Sequence, residues 1–326
     1  MGNKNKQPKS LKILSFDFNN VLVDVEKELL RLGHILLPHD GRPETWKEAD
    51  IIIVWQESDL GGWKPLVKRW KKAGKRVILM QHGRRGVSRI YPPFNEELIS
   101  DAVCVWGEND VERLMASGVP REKIFVTGTP VTQVKERVPH KGINVVFAPE
   151  HWDQEVPENF MVRNALRKFV NSRWPWQQKV KVITKILAGE HQPHNYDNPV
   201  SSNRMMPGHL DIAIKVLQEA DAVVSISEGT FELLAQIMGI PVIIADIWVP
   251  KACAGDERHK LFQRTYSDAC ERVKDLNKLG EVIMKHVRNP HLLEMERQEI
   301  AILDGGINIS NPIKNIVNVI LNEKIS

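Results

Sequence analysis

A short polar turn follows an apolar run in the second half of the chain, and it reads Ser227, Glu228, Gly229, Thr230. The apolar run, residues 222–226, predicts a buried strand, and the residues after the turn predict a helix that ends at Gly239. A turn with small residues at a helix N-terminus presents backbone N–H groups and the positive end of the helix dipole, which suit a phosphate group. The pattern predicts an anion-binding turn at residues 227–230.

A histidine and a glycine, His82 and Gly83, follow another apolar run at residues 77–80. An imidazole changes charge near neutral pH, so His82 is a candidate general base for a hydroxyl; the structural alternative is a histidine that caps a strand end. Gly83 lets another group approach its backbone closely. Guanidinium groups that can receive phosphate oxygens follow at Arg84, Arg85 and Arg89.

A different chemistry is suggested by Asp17 near the N-terminus, where residues 16–24 resemble the first motif of haloacid-dehalogenase-like phosphatases. That motif needs an acidic residue two positions after the nucleophile, and Asn19 stands there instead. An amide cannot protonate a leaving group. The segment is therefore better explained as the first strand and turn of a nucleotide-binding type of sheet.

Composition sets the broad class of protein. The 326 residues are 26% charged and 42% hydrophobic, which is typical of a soluble globular protein, and no apolar run approaches the roughly 20 residues of a membrane-spanning helix. Three widely spaced cysteines, Cys104, Cys253 and Cys270, favour neither a disulfide framework nor a zinc site and fit a reducing cytoplasm. The net charge is only +4, but residues 64–89 hold ten Lys or Arg and no Asp or Glu, which indicates either an anionic partner or a solvated helix face.

These residues need a scaffold, and the chain alternates strand-like with helix-like segments. Strands are predicted at residues 12–18, 34–38, 51–55, 76–81, 102–106, 124–127, 143–148, 179–186, 222–226 and 242–246. Helices are predicted at residues 21–32, 63–73, 95–100, 110–117, 160–171, 210–219, 230–238, 276–287, 291–303 and 312–322. Such alternation predicts an α/β protein with doubly wound parallel sheets.

A break in the alternation divides the chain. Thr127-Gly-Thr-Pro130 and the polar residues 133–142 look like an interdomain connection. We predict an acceptor domain at residues 1–137 and a donor domain at residues 138–326, with the last helix packing back on the first domain. The strand C-terminal ends of the two sheets would then border a shared cleft.

The order and spacing of several motifs resemble the GT-B superfamily. The motifs are Gln81-His-Gly83, residues 100–108, residues 118–130, Ser227–Thr230 and Gly239–Val242. Within that superfamily the chain is most similar to the CDP-glycerol glycerophosphotransferase-like and capsule glycosyltransferase group, and next to the non-hydrolysing UDP-N-acetylglucosamine 2-epimerases. The resemblance implies two facing Rossmann-like domains.

The resemblance also assigns roles to residues. It places His82 at the reaction centre, as the base or as the residue that orients the acceptor. By their own chemistry, the neighbouring residues Gly83, Arg84 and Arg85 are candidates for acceptor binding. Where the group carries a Lys-x-His-Pro element for donor phosphate, this chain offers Lys185 and His191 at altered spacing.

Two further donor contacts follow from comparison with these families. Similarity to an epimerase strand end makes His151 a phosphate contact, or else a surface histidine. Leu234 occupies the position of the usual ribose-binding glutamate, so Glu228 or Glu232 takes that role or Glu232 is merely solvated.

The function expected on these grounds is a metal-independent glycosyltransferase without a cofactor. It would move a sugar, or a polyol phosphate, from a UDP- or CDP-type donor to a hydroxyl of an anionic acceptor. The acceptor could be a polysaccharide, a teichoic-type polymer or modified DNA, and a homodimer is compatible with the sequence. The alternatives are a sugar-nucleotide 2-epimerase or hydrolase and a catalytically silent nucleotide- or nucleic-acid-binding protein. Trp174-Pro-Trp176 among basic residues is a pattern found in nucleic-acid binders, but a helix-to-strand connection whose tryptophans pack on the core explains it more simply.

Overall fold

The structure is a computed structural model. It describes residues 10–16, 21–38, 44–55, 57, 62–81, 83, 98–116, 118–131, 136–149, 157–172, 179–187, 196–202, 209–247 and 267–322. These residues form two parallel sheets of six strands each, flanked by α-helices. The predicted class, α/β with two Rossmann-like domains, is confirmed.

The first sheet has the strand order β2-β1-β3-β4-β5-β6, with every pair parallel. Its strands are β1 (Lys12–Ser15), β2 (Ile35–Leu37), β3 (Ile51–Val54), β4 (Arg76–Met80), β5 (Ala102–Val105) and β6 (Ile124–Val126). The helices between them are α1 (Val23–Arg31), α2 (Thr45–Glu48), α3 (Trp63–Lys72) and α4 (Glu108–Ala116).

The second sheet has the order β12-β11-β10-β7-β8-β9 and is also parallel throughout. Its strands are β7 (Ile143–Ala148), β8 (Val180–Leu187), β9 (Pro199–Ser202), β10 (Ala222–Ser225), β11 (Val242–Ala245) and β12 (Cys270–Val273). Its helices are α5 (Pro157–Asn171), α6 (His209–Gln218), α7 (Thr230–Ile237), α8 (Leu279–Arg288) and α9 (Glu294–Leu303), and α10 (Pro312–Leu321) ends the described chain.

Both faces of each sheet are buried, because the strands carry apolar side chains on both sides. Along β3, Ile52 and Val54 join one apolar cluster while Ile51 and Ile53 join another. Helices cover both faces, as parallel sheets require. The carboxyl edge of each sheet, where its parallel strands end, is left to the loops that carry the predicted site.

The last helix belongs spatially to the first sheet. On α10, Ile316 and Ile320 are fully buried in the cluster that contains Ile13 and Leu29. Arg76, at the start of β4, donates from Nη2 to the carbonyl of Val319 at 2.9 Å. The chain therefore crosses from the first sheet to the second and returns.

The returning segment lies very close to the first domain. Gly306 has a φ of 59°, and a Cβ on it would be 2.0 Å from the carbonyl oxygen of Trp106. Thr129 donates its backbone N–H to Gly305 at 3.2 Å. Only a residue without a side chain allows this left-handed, closely packed crossing.

The outgoing connection is attached to the second domain from residue 136 onward. Gln218 donates to the carbonyl of Glu136 at 3.0 Å, and Arg137 pairs with Asp221 at 2.9 Å. The exact division at residue 137 stays a prediction.

One predicted helix is wrong in the part that the structure describes. Residues 98–100 are not helical. The carboxylate of Glu57 accepts the backbone N–H groups of Ile99 at 2.5 Å and Ser100 at 3.0 Å, which holds this segment before β5. Among the described residues no helix is long and apolar enough to span a membrane.

Candidate functional site

The predicted anion-binding turn lies between β10 and α7, at the carboxyl edge of the second sheet. The strand ends at Ser225 and the helix begins at Thr230. Ser225 Oγ donates to the carbonyl of Ala148 on the neighbouring strand at 3.1 Å and receives the N–H of Ser227 at 3.4 Å. The turn is thus tied to β7, and the N-terminus of α7 faces the loops of this edge.

Glu232 closes the start of α7. Its Oε2 accepts the backbone N–H of Gly229 at 2.7 Å, three residues earlier, and its side chain is buried. A glutamate that returns to the N-cap residue in this way stabilises a helix start. One N–H group of the predicted phosphate turn is therefore engaged by a carboxylate, and Glu232 fastens the turn instead of projecting into solvent.

Glu228 points into the second domain. Only 6% of it is exposed. Its Oε1 accepts from Ser267 Oγ at 2.6 Å, from Cys270 Sγ at 2.8 Å and from Gln236 Nε2 at 3.0 Å, while Oε2 accepts the N–H of Ser267 at 2.6 Å. The carboxylate joins the turn, α7 and the beginning of β12. In this arrangement both of its oxygens are occupied by protein groups, so a ribose contact would have to displace one of them.

Lys185 lies next to the turn, near the end of β8. Its Nζ is 5.5 Å from the centroid of the Phe231 ring, in the first turn of α7. A cation at this position adds to the positive end of the helix dipole. Leu234, which stands at the usual glutamate position, is buried in the apolar cluster beneath the helix.

Gly83, predicted for the acceptor side, lies against Thr230, predicted for the donor side. A Cβ on Gly83 would lie 2.6 Å from Oγ1 of Thr230, so the backbone after β4 approaches the first residue of α7 within contact distance. The structure therefore brings together Gly83 and Thr230, which the sequence assigned to two different domains and two different roles.

Gln81 contacts Gly83, and sequence reasoning gave it no role of its own. It is buried, and its Nε2 donates to the carbonyl of Gly83 at 3.2 Å and to Asp110 Oδ2 at 2.7 Å. Its Oε1 accepts the N–H of Trp106 at 2.6 Å, and the Trp106 indole returns a hydrogen bond to the Gln81 carbonyl at 3.1 Å. A polar residue at the end of an otherwise apolar strand is the only local signal for it.

Several predicted residues lie outside the described residues. These are His82, Arg84, Arg85, Arg89, His151, His191, Asp17 and Trp174–Trp176. Their assigned roles stay predictions.

Several basic residues of the segment 64–89 make contacts within the fold. Lys71 pairs with Asp101 at 2.5 Å, and Lys75 donates to the carbonyls of Lys47 and Ala49 at 2.6 and 2.7 Å. Arg69 lies 4.9 Å above the Trp46 ring. The fold thus uses part of the charge that had suggested an anionic partner. No group of three or more metal-ligand side chains occurs in the described part of the chain.

Two parallel six-stranded Rossmann-like domains, with their predicted sites in contact, define a protein of the GT-B fold. No protein-family model matches the chain, and no curated protein is similar to it in sequence. Solved structures do match. The wall teichoic acid polymerase TagF shares 10% identity at a TM-score of 0.61, over 97% of this chain and 89% of that one.

Two other similar structures hold a nucleotide sugar. UDP-GlcNAc 2-epimerase from Neisseria meningitidis, bound to UDP-GlcNAc, is 12% identical at a TM-score of 0.54, over 96% of this chain and 100% of that one. HepE from Anabaena, in complex with UDP-glucose, is 10% identical at a TM-score of 0.53, over 95% and 100%. The resemblance inferred from the sequence motifs is confirmed at the level of the fold.

Proposed function

We propose that this protein transfers a sugar, or a polyol phosphate, from a nucleotide-activated donor to an acceptor hydroxyl. The observation that carries the proposal is the contact between Gly83 and Thr230. It sets the residue that follows His82 against the first residue of the donor helix. A base from one domain and a phosphate-binding turn from the other are the two components that such a transfer needs.

On the donor side, the diphosphate rests at the first turn of α7. The helix N-terminus and the ammonium group of Lys185 stabilise the negative charge that develops on the leaving nucleoside diphosphate. His151 and His191 are proposed as further phosphate contacts. With these groups the reaction needs no metal ion.

On the acceptor side, His82 takes the proton of the acceptor hydroxyl. In sugar transfer the acceptor oxygen forms a bond to the sugar carbon, the bond from that carbon to the donor phosphate oxygen breaks, and the nucleoside diphosphate leaves with the electron pair. In polyol phosphate transfer the acceptor oxygen forms a bond to the phosphorus that carries the polyol, the bond from that phosphorus to the bridging oxygen breaks, and the nucleoside monophosphate leaves with the electron pair. Arg84 and Arg85 are proposed to orient an anionic acceptor. The two solved structures that hold a UDP-sugar support a nucleotide-sugar donor.

A 2-epimerase is the second candidate, because the chain matches the whole length of a UDP-GlcNAc 2-epimerase. Incubation with a nucleotide sugar and no acceptor separates the two. A transferase leaves the sugar configuration unchanged, whereas an epimerase returns an isomerised nucleotide sugar.

The donor site is tested by thermal shift with UDP, CDP, GDP, dTDP and their sugars. At a ligand concentration 100 times Kd the matching nucleotide raises the melting temperature by about 5 °C. Lys185→Met weakens that nucleotide about tenfold or more, because a charge-assisted contact is lost. Lys181→Met, which removes an exposed lysine from the same strand, leaves the affinity unchanged.

Turnover tests the base. His82→Ala lowers kcat by about 10²-fold or more while the donor Kd stays the same. Full turnover in this variant rules out His82 as the base, and a nucleotide panel that never shifts the melting temperature rules out the donor site itself.

A further inference from the structure

A series of buried and partly buried polar contacts runs from Gln81 to the other domain. Asp110, which accepts from Gln81, also accepts from Arg113 Nη1 at 3.0 Å. Arg113 Nη2 reaches Asp304 Oδ1 at 3.3 Å, and Asn109 donates to the same oxygen at 2.7 Å. Only 5% of Asp110 and 1% of Asp304 are exposed. Arg113, which lies between them, is partly buried, with 24% of its side chain exposed.

Asp304 is attached to the donor helix through α9. It directly follows α9, which packs against α7. Ile300, near the end of α9, lies against the apolar cluster that contains Leu233 and Leu234 of α7. The next residue, Gly305, is so close to Ile237 that a Cβ on it would lie 3.1 Å from the isoleucine Cδ1. Because α9 packs on α7, the end of α9 keeps a fixed position relative to the turn at residues 227–230, from which α7 begins.

We propose that Gln81 is a positioning residue, and that Asp110, Arg113 and Asp304 form a relay that sets Gln81 and Gly83 at a fixed place relative to the turn at residues 227–230. Apolar packing alone permits small sliding between two domains. A glutamine whose amide oxygen and nitrogen are both bound has one orientation, and that orientation fixes the carbonyl of Gly83. The effect on turnover rests on the proposed function, whereas the geometric effect does not.

A buried ionic network is weak support for stability, because desolvation offsets much of the attraction between its charges. Its use here is to select a single arrangement of two surfaces. The backbone N–H of Trp106 donates to Gln81 Oε1 and exchanges with solvent only when this hydrogen bond is broken. Its exchange rate therefore reports on that arrangement directly.

Hydrogen exchange tests the relay without a substrate. Asp304→Asn removes the charge that holds Arg113 and keeps the side-chain size, and Gln81→Met removes the amide. Both variants speed exchange of the Trp106 N–H about tenfold or more and leave residues 230–237 unchanged. Asp101→Asn is the matched control: it breaks the Lys71 ion pair before β5, at the opposite edge of the sheet, and leaves Trp106 unchanged.

A double-mutant cycle tests the consequence for the reaction. Each single change, Gln81→Met or Asp304→Asn, lowers kcat about tenfold with the donor KM unchanged, and the double variant is no slower than the slower single one. Independent effects of two structural defects would multiply to about 100-fold. Multiplying losses, or an unaltered Trp106 exchange rate in Asp304→Asn, overturn the proposal.

A second variant tests the relay independently in case Asp304→Asn does not fold. Arg113→Lys keeps the charge but loses the fork that bridges two carboxylates, and it gives the same exchange pattern at Trp106. The exchange readout also separates the two hypotheses. If the relay responds while no nucleotide binds, the proposed function fails and the relay stands; if a nucleotide binds and Trp106 does not respond, the relay fails alone.

Discussion

At the carboxyl edges of the two sheets, a buried polar side chain fixes the segment after a strand, but the hydrogen-bond networks of the two side chains differ in extent. These side chains are Glu228 in the second domain and Gln81 in the first. The described partners of Glu228 all lie on the second domain. The network of Gln81 continues through Asp110 and Arg113 to Asp304. The turn at residues 227–230 is thus held by contacts within its own domain, whereas the contacts of Gln81 extend through Asp110 and Arg113 to the other domain.

The largest expected effect comes from disturbing the crossing that links the domains. Gly306→Ala adds a Cβ 2.0 Å from the Trp106 carbonyl oxygen at a φ of 59°. Strain and overlap together lower the free energy of unfolding by about 4 kcal/mol, which a urea titration followed by circular dichroism measures.

Gly33→Ala is the matched control for this variant. Gly33 also has a positive φ, 86°, but nothing lies within 4 Å of its Cβ position. Gly33→Ala lowers the free energy of unfolding only through backbone strain, by about 1 kcal/mol. If the two variants are equally destabilised, the segment at Gly306 is not closely packed against the first domain. The first domain would then not be fixed to the second at this point.

Breaking the local anchor has the next largest effect. Glu228→Ala leaves buried donors of Ser267 and Gln236 without their acceptor, which lowers the free energy of unfolding by about 3 kcal/mol. In a Cys253→Ser background, the rates of thiol labelling at the two remaining cysteines show which domain has lost structure. Labelling of Cys270, which donates to Glu228, accelerates.

Cys104 is the internal control for that labelling. It is buried in β5 of the first domain, and burial raises the pKa of its thiol well above the ordinary value. Its labelling stays slow in Glu228→Ala, because the defect is confined to the second domain. Equal acceleration of both cysteines would show that the anchor is not local.

The smallest effect is expected at the helix cap. Glu232→Gln keeps an oxygen that can accept from Gly229 but removes a charge from the positive end of α7, at a cost of about 0.5–1 kcal/mol. Because a negative charge also leaves the proposed phosphate site, the nucleotide-sugar Kd falls by about twofold to fivefold. Calorimetric titration measures that affinity, and a weaker binding would place the diphosphate away from this turn.

Much of the fold could be predicted because parallel strands buried on both faces are continuous apolar runs. Residues 51–54 and 143–148 show this. The two strands that the sequence did not reveal, β9 and β12, are the two edges of the second sheet. The first begins with Pro199, and the second carries Glu271 and Arg272 in its middle, so neither contains an apolar run.

The site was predictable where its signal is local. A strand, small residues and a helix start in succession locate the turn at residues 227–230. The anchor of Glu228 was not predictable, because Ser267 lies 39 residues away, and Arg113 and Asp304 are separated by 191 residues. The spacing of Gly229 and Glu232 is that of a capping box, and this signal could have assigned Glu232 to the helix start.

The return of α10 to the first sheet has a consequence for the order in which the protein forms. During synthesis the chain emerges from its N-terminal end, and a domain folds once its residues are available. Ile316 and Ile320 cover the same apolar cluster as Ile13 and Leu29, which are made about 300 residues earlier. The first sheet is therefore made before the second but is covered only after it, once residues 312–321 have left the ribosome.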